Sequence, residues 1–308
     1  MRRILLVLAA SMSIASCGDD GTERVTLALD FQPNPVHAGV YAAQREGLDA
    51  DRDLDLQVRV PAASTDSLKL LAAGRADVSV VDIHDLGLAR EQGRDLVGIG
   101  AIVQRPLAAV IARGAEIRRP RDLEGRRVGV TGLPSDEAVL RAVVEDDGGD
   151  FERVERVTIG FSAVPSLIAR RVDAVVSFWN AEGVALRERG VPTREFRVDE
   201  YGAPRYPELV LVTKRETLRE RGALVDDLLA TLAAGTRAAL ADRDAVVADL
   251  AEASGADEPL VRAQLRAVGP ALRPPIRLDL AALEGWASFD VRFGILDRRP
   301  DVDRAFAP

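Results

Sequence analysis

Short runs of Val, Ile and Leu alternate along most of the chain with segments whose apolar residues recur every three or four positions. The first pattern predicts buried β-strands and the second predicts amphipathic helices. Their alternation is typical of βαβ units and parallel sheets, so an α/β fold is predicted. The predicted strands span residues 25–29, 56–60, 78–81, 96–104, 108–112, 127–130, 156–159, 174–178 and 209–213.

Helix signals fill the gaps between these strands. A helix is predicted from residue 64 to 73, closed by Gly74, and another begins at Pro134 and runs to about residue 145. After Glu216 the pattern becomes continuously helical. The helices predicted there span residues 218–243, 243–253, 257–268 and 279–293.

Two of the strands are positioned to connect separate domains. The strands at 108–112 and 209–213 enclose a complete βαβα block of about a hundred residues, the usual lower size for a domain. We therefore predict two α/β lobes that are joined by two crossing strands, with a cleft between them. Residues 24–112 and 214–308 are assigned to lobe 1, and residues 113–213, with the return crossing, to lobe 2.

The first residues are typical of an export signal. Two arginines precede an apolar run at residues 4–10, and small residues at 14–16 lead to Cys17, the only cysteine of the chain. This pattern predicts a lipoprotein signal peptide at 1–16, lipidation of Cys17 and a polar tether at 17–23. The alternative is that Cys17 is a buried free thiol. The lipoprotein interpretation predicts a membrane-anchored protein on the extracytoplasmic face.

Charge and size narrow the classes of partner. The 308 residues carry a net charge of −8, and without Arg2 and Arg3 there remain 39 basic against 49 acidic residues, a net charge of −10. Such a balance argues against nucleic acid as a partner. A hydrophobic fraction of 47% over this length predicts one or two domains with substantial cores.

Chemistry-bearing side chains follow the first predicted strand. Asp30 and Phe31 end the strand, because the prolines at 33 and 35 cannot extend a ladder, and Asn34 begins a turn into a helix. His37 and Tyr41 lie four residues apart and so share one helical face. We expect these five side chains to converge at the carboxyl end of the strand, where open α/β sheets bind ligands. The alternative is that His37 and Tyr41 only pack.

The end of the strand at 174–178 carries a second group of candidates. Trp179 supplies an aromatic face, Asn180 can donate and accept hydrogen bonds, and Glu182 supplies a carboxylate. Packing or helix capping is the alternative for this turn. Tyr201 and Tyr206 come from the loop before the return crossing, where each could instead hold a hinge.

Four further residues with polar side chains lie outside these two groups. Asp82 is a candidate carboxylate, together with Glu200 in the loop before the return crossing. Ser135 opens a helix whose free backbone N–H groups would face the cleft, although a plain N-cap is the alternative. His84 follows the third strand and could line the cleft, but the start of a surface helix is the favoured interpretation. The two histidines of the chain have no metal-ligand spacing, so no metal site is predicted.

Four motifs carry a resemblance to a known family. They are the lipobox ending at Cys17, the Asp-Phe-x-Pro-Asn-x-x-His-Ala-Gly-x-Tyr motif at 30–41, the Asp-Leu-x-Gly-x-x-Val-Gly segment at 122–129, and the segment at 199–210. Together they resemble the periplasmic solute-binding lipoproteins of ABC importers. Among these, the chain is similar to thiamine-pyrimidine-precursor binding proteins over essentially all of residues 24–300.

This resemblance implies a two-lobed type II periplasmic-binding fold without a cofactor. It also implies a monomer that delivers its ligand to an ABC permease and ATPase. The implied ligand is a small nitrogen heterocycle such as a hydroxymethyl- or formylaminopyrimidine, which needs aromatic faces and a carboxylate for its N–H groups. A related group binds riboflavin, and the sequence leaves the choice between these heterocycles and thiamine open.

Two other classes of function are alternatives to a heterocycle-binding protein. Pyrimidine synthases of thiamine biosynthesis resemble the same family, but they rely on a cysteine-rich iron-binding motif together with a histidine. This chain keeps a matching His37 and no cysteine beyond Cys17. A binding protein for alkanesulfonates would need a basic pocket, whereas the motif at 30–41 is acidic and aromatic.

Overall fold

The structure is a computed structural model that describes residues 22–63 and 66–307. The predicted signal peptide, Cys17 and most of the predicted tether lie outside the described residues. The strands are β1 (Glu23–Ala28), β2 (Leu54–Arg59), β3 (Val78–Asp82), β4 (Leu96–Val103), β5 (Ala108–Ala112), β6 (Arg127–Val130), β7 (Glu155–Thr158), β8 (Ala174–Phe178), β9 (Arg194–Arg197) and β10 (Leu209–Lys214).

The helices complete the two α/β layers. They are α1 (Ala38–Arg45), α2 (Asp66–Ala72), α3 (Ile83–Glu91), α4 (Pro134–Asp146), α5 (Ala163–Ile168), α6 (Val184–Glu188), α7 (Arg215–Glu220), α8 (Gly222–Ala241), α9 (Arg243–Ser254), α10 (Glu258–Val268), α11 (Leu280–Arg292) and α12 (Val302–Ala305). Among the described residues no helix has the length and apolarity needed to cross a membrane.

The ten strands form two five-stranded sheets. The first has the order β2-β1-β3-β10-β4 and the second the order β7-β6-β8-β5-β9. In each sheet four strands run in one direction, and the strand that follows a crossing runs antiparallel to its neighbours: β10 beside β3 and β4, and β5 beside β8 and β9. These mixed sheets with helical layers confirm the predicted two-lobed α/β architecture.

Strand pairing shifts both crossings relative to the sequence-based boundaries. The sequence-based boundaries assign β5 to lobe 1, but this strand pairs in the second sheet. They assign β10 to lobe 2, but this strand pairs in the first sheet. The chain therefore passes between sheets through residues 104–107 on the outward path and residues 198–208 on the return. A buried apolar run identifies a strand but not the sheet in which it pairs, and this explains the difference.

The nine predicted strands all exist, with ends displaced by two residues at most, and β9 was not predicted. Its sequence, Arg-Glu-Phe-Arg, has one apolar residue, Phe196, which is buried while the other three side chains stay partly or fully exposed. An edge strand of this kind gives no apolar run. Paired with β5, it completes the second sheet beside the return crossing.

Two helices of the first lobe pack unusually closely. Gly39 on α1 lies against Thr236 on α8, and a Cβ added to Gly235 would fall on the carbonyl oxygen of Gly39. This contact holds α1, and the turn that precedes it, against the long helix α8. It therefore fixes the position of the segment that follows β1.

Candidate functional site

A partly open cavity lies between the two sheets. The volume open to water there is about 120 Å³, which holds roughly ten water molecules at about 10–15 Å³ each. Its wall comes from both lobes and from the end of the return crossing. It consists of Asp30, Phe31, Asn34, Ser67, Leu68, Val81, Asp82, Asp85, Ala108, Thr131, Leu133, Ser135, Asp136, Val139, Gly160, Phe161, Ala163, Val176, Ser177, Phe178, Ala181, Glu182, Glu208 and Leu209.

The polar part of this wall follows the carboxyl ends of parallel strands. Asp30 comes after β1, Asp82 ends β3, and Thr131 comes after β6. Glu182 comes after β8, and the apolar wall residue Phe161 comes after β7. This is the edge at which open α/β sheets bind ligands, and here two such edges face each other.

The charge of the wall has one sign. Six carboxylates line the cavity, and among the residues that the structure describes no Arg, Lys or His does so. Such a wall accepts hydrogen bonds from N–H groups and repels anions. The acidic lining residues are Asp30, Asp82, Asp85, Asp136, Glu182 and Glu208.

Asp82 and Glu208 are neighbouring carboxyl groups at the base of the cavity. Burial raises the pKa of each to about 7, and the nearby charge of His84 opposes this increase. Asp82 also accepts a hydrogen bond from His84 N at 2.8 Å and so caps α3. With a pKa near neutrality each group is only partly ionised at pH 7, and an N–H donor from a ligand would favour its ionised form.

Asp85 on α3 and Asp136 on α4 bring one acidic side chain from each lobe to the cavity wall. Burial raises the pKa of both, to about 6 for Asp136, while a hydrogen bond from Ser135 acts in the opposite direction on Asp85. The backbone N–H and hydroxyl of Thr131 each donate to Asp136 Oδ2 at 2.5 Å. Ser135 is buried in the first turn of α4 and lines the wall.

The turn after β1 orients Asp30. His37 Nδ1 accepts from Asn34 N at 3.3 Å, so the ring hydrogen lies on Nε2, which donates to Asp30 Oδ1 at 2.8 Å. His37 is completely buried behind Asp30 and is not part of the wall. Asp30, Phe31 and Asn34 are part of it. Tyr41 is half-buried on α1 and also lies outside the wall.

Aromatic rings from both lobes meet at the cavity. Phe31 after β1 and Phe161 after β7 are in edge-to-face contact, with ring centroids 4.5 Å apart. Phe178, the last residue of β8, adds a third ring to the wall. Beside it, Glu182 Oε2 accepts from Phe178 N at 3.1 Å, and burial raises the pKa of Glu182.

Trp179 and Asn180 belong to a π-helical turn at Trp179–Gly183, but neither lines the cavity. The Trp179 ring lies between the guanidinium groups of Arg105 and Arg197, which are 5.4 and 4.2 Å from its centroid, and its Nε1 donates to Pro106 O at 3.2 Å. Asn180 is fully buried, and among the described residues neither of its amide atoms has a hydrogen-bond partner.

The two tyrosines of the return crossing also lie outside the wall. Tyr201 is half-buried in edge contact with Phe196, with ring centroids 5.9 Å apart. Tyr206 is fully buried, and its hydroxyl lies 3.1 Å from His84 Nε2. Tyr206 thus occupies the hinge position that was the alternative to a ligand contact. Glu200 is exposed and does not reach the cavity.

His84 is not at the surface, and this part of the sequence-based interpretation was wrong. The ring is completely buried, with Nδ1 at 2.6 Å from Asp290 Oδ1 on α11. Burial opposes charge on His84, but the Asp290 carboxylate outweighs it and raises the pKa to about 10. Asp290 is 206 residues away in the chain, so no local pattern could have indicated the pair.

Several wall residues were not predicted as site residues. Asp85 comes three residues after the end of β3 and Asp136 six residues after the end of β6, each in the first turn of the following helix, a position that could have indicated them. Phe161 comes three residues after the end of β7, as Phe31 does after β1. Glu208 precedes a strand rather than following one, so the rule based on carboxyl ends does not find it.

Comparisons with known proteins agree with this geometry. Residues 34–246 match the family described as "NMT1/THI5 like". The chain is 34% identical over 246 residues, 77% of its length and 72% of the relative's, to the formylaminopyrimidine-binding protein of Halalkalibacterium halodurans. It is also 26% identical over 178 residues to the 4-amino-5-hydroxymethyl-2-methylpyrimidine phosphate synthase of Legionella pneumophila, covering 58% of this chain and 56% of that enzyme.

A solved structure establishes the fold class. The alkanesulfonate-binding protein SsuA of Xanthomonas axonopodis pv. citri superposes with a TM-score of 0.75 at 19% identity, covering 92% of this chain and 98% of that one. This likeness confirms the predicted periplasmic-binding-protein fold.

Proposed function

Because the chain belongs to the NMT1/THI5-like family, we propose that it captures a small aminopyrimidine outside the cytoplasm and delivers it to an ABC permease and its ATPase. The observation that carries this proposal is the acidic cavity between the lobes. Its carboxylates are suited to the amine and ring N–H groups of such a heterocycle, and its three phenylalanines to the flat ring.

The size of the cavity favours a single-ring ligand. About ten water molecules correspond to roughly 300 Å³ of liquid, the lower end of ligand pockets. A pyrimidine with short substituents suits this space better than a riboflavin, which has three fused rings and a sugar-alcohol chain. Among the candidate heterocycles we therefore propose a pyrimidine of the formylamino- or hydroxymethyl- type.

The charge of the wall favours this ligand over a sulfonate. The fold neighbour is an alkanesulfonate-binding protein, but an anion in this cavity would face the acidic side chains, with no Arg, Lys or His among the described wall residues to offset them. Calorimetric titration with formylaminopyrimidine, hydroxymethylpyrimidine and an alkanesulfonate tests the proposal. Binding of a pyrimidine and not of the sulfonate is expected, and the reverse result contradicts it.

The same experiment separates a binding protein from a synthase. A binding protein releases its ligand chemically unchanged, so mass spectrometry of the ligand recovered after denaturation should return the mass that was added. A changed mass would favour the enzyme class to which the Legionella relative is assigned. The single cysteine of the chain, Cys17, supports the binding role.

Membrane anchoring is part of the proposal and rests on the sequence around Cys17. Replacing Cys17 by serine removes the thiol that would be lipidated and should release the protein from the membrane fraction. Ligand affinity should not change, because the tether precedes both lobes. If Cys17→Ser fractionates with membranes as strongly as the parent protein, the lipoprotein assignment fails.

A further inference from the structure

Glu208 connects the two segments that cross between the lobes. It lies in the return crossing directly before β10 and is 1% exposed. Its Oε2 accepts from Leu107 N at 2.6 Å and from Ala108 N at 3.4 Å. Those two residues end the outward crossing and begin β5. One carboxylate oxygen therefore joins both crossings at a single point.

The other oxygen of Glu208 has no partner. Oε1 is buried, and within the described part of the chain no group donates a hydrogen bond to it, although Glu208 lines the cavity. A buried acceptor without a donor is unfavourable, and more so when it carries charge. A ligand N–H group in the cavity would supply the missing donor.

We propose that Glu208 binds an N–H group of the ligand through Oε1 and so transmits occupancy of the cavity to the two crossing segments. A donor at Oε1 favours the ionised carboxylate, and an ionised acceptor strengthens the bonds from Leu107 N and Ala108 N. The filled cavity thereby fixes the crossings relative to each other. The proposal takes its ligand class from the proposed function, but the role of Glu208 applies to any planar N–H donor.

Two probes make the test independent of the natural ligand. Formylaminopyrimidine represents the proposed function, and acetamidinium is a minimal planar cation whose paired N–H groups match a carboxylate. Glu208→Gln can keep an oxygen toward Leu107 N while it presents an NH₂ group to the cavity. We expect at least a tenfold loss of affinity for both probes by calorimetry, and an unfolding temperature close to that of the parent.

Glu91→Gln is the matched control. Glu91 also accepts from two backbone N–H groups, those of Asp297 at 3.2 Å and Arg298 at 3.1 Å, but it is not part of the cavity wall. This variant should bind both probes within twofold of the parent. Small-angle scattering provides the second measurement: saturating probe should contract the parent and Glu91→Gln, whereas Glu208→Gln should contract less.

The outcomes separate this inference from the proposed function. A parent protein that binds acetamidinium but not formylaminopyrimidine, with binding lost in Glu208→Gln, supports the role of Glu208 and contradicts the proposed ligand. Glu208→Gln binding within twofold of the parent overturns the inference, as does a parent that binds neither probe. If Glu208→Gln does not fold, Glu208→Asp replaces it, since the shorter carboxylate cannot reach Leu107 N and a ligand together.

Discussion

Asp30 owes its position to a buried histidine. His37 Nδ1 accepts a hydrogen bond from the backbone N–H of Asn34, so His37 donates through Nε2 to one carboxylate oxygen of Asp30. Asp30 itself is part of the cavity wall. His37 therefore serves the site by orienting an acceptor, and it does so from a fully buried position.

Replacing Asp30 by asparagine should weaken aminopyrimidine binding more than Phe31→Leu does. A charge-assisted hydrogen bond contributes about 1.5–3 kcal/mol, whereas the loss of an aromatic contact costs about 0.5–1.5 kcal/mol beyond buried area. The difference corresponds to about tenfold in affinity. Calorimetric titration of both variants measures it, and the idea fails if Asp30→Asn binds within twofold of the parent while Phe31→Leu does not.

The stability of the ligand-free protein should fall as pH rises from 5 to 8. Burial raises the pKa of Asp82 and Glu208 from 3.8 and 4.5 to about 7, so in this range the folded protein binds more protons than the unfolded chain, and ΔG of unfolding decreases with pH. His84 acts in the same direction, because its pKa rises from 6.5 to about 10.

Thermal unfolding at a series of pH values measures this dependence. Asp82→Asn should make the decline shallower, whereas Asp95→Asn, at an exposed carboxylate paired with Arg215, should leave it unchanged. A stability that increases between pH 5 and 8 would show that these acids are ionised in the folded protein.

At the scale of elements, the sequence predicts what local pattern encodes. Apolar runs located nine strands, and the strand-end rule located Asp30, Phe31, Asn34, Asp82 and Glu182 in the cavity wall. It also placed Trp179 and Asn180 at the correct turn but could not tell which side chains point inward, because the π-helical winding changes their direction. The sheet in which a strand such as β5 or β10 pairs depends on tertiary contacts, which an apolar run in the sequence does not show.

The contact between α1 and α8 leads to a matched pair of substitutions. Gly→Ala in a helix normally stabilises by about 1 kcal/mol, but a Cβ at Gly235 would overlap Gly39 O and lie 2.8 Å from the Ala43 Cβ. Gly235→Ala should therefore destabilise by about 1–3 kcal/mol. Gly222→Ala in the same helix meets no atom within 4 Å and should be neutral or stabilising. Denaturant unfolding of both variants compares them, and equal midpoints would contradict the close packing.

At the scale of the whole molecule, the two crossing segments beside the cavity are joined to each other by two contacts. Arg105 on the outward path pairs with Asp199 on the return at 2.5 Å, and Glu208 makes the second connection. On the far side of the cavity, Phe31 and Phe161 bring the lobes into contact. The molecule thus has a hinge at one end of the cavity and an aromatic contact between the lobes at the other. This is a closed arrangement, and the lobes can separate by bending at the hinge.

Ligand should therefore reduce the radius of gyration measured by small-angle scattering. Without ligand the Phe31–Phe161 contact joins the two lobes beside the cavity, and opening of the cleft would break it. Phe161→Ser should leave the ligand-free protein more expanded than the parent, while Phe306→Leu, in the first lobe, should not. An unchanged radius at saturating pyrimidine would count against a cleft that closes.

The position of Trp179 between Arg105 and Arg197 gives the protein a built-in optical reporter. The chain has two tryptophans, and Trp286 is completely buried in the first lobe, in edge contact with Phe306. The Trp179 indole contacts the outward crossing through Pro106 O and Arg105, and it contacts Arg197, the last residue of β9, directly before the return crossing. Indole emission responds to nearby charge, so any motion of the crossings changes the fluorescence of Trp179 and leaves that of Trp286 as an internal reference. A Trp286→Phe variant would thus follow opening and closing in real time without an attached dye.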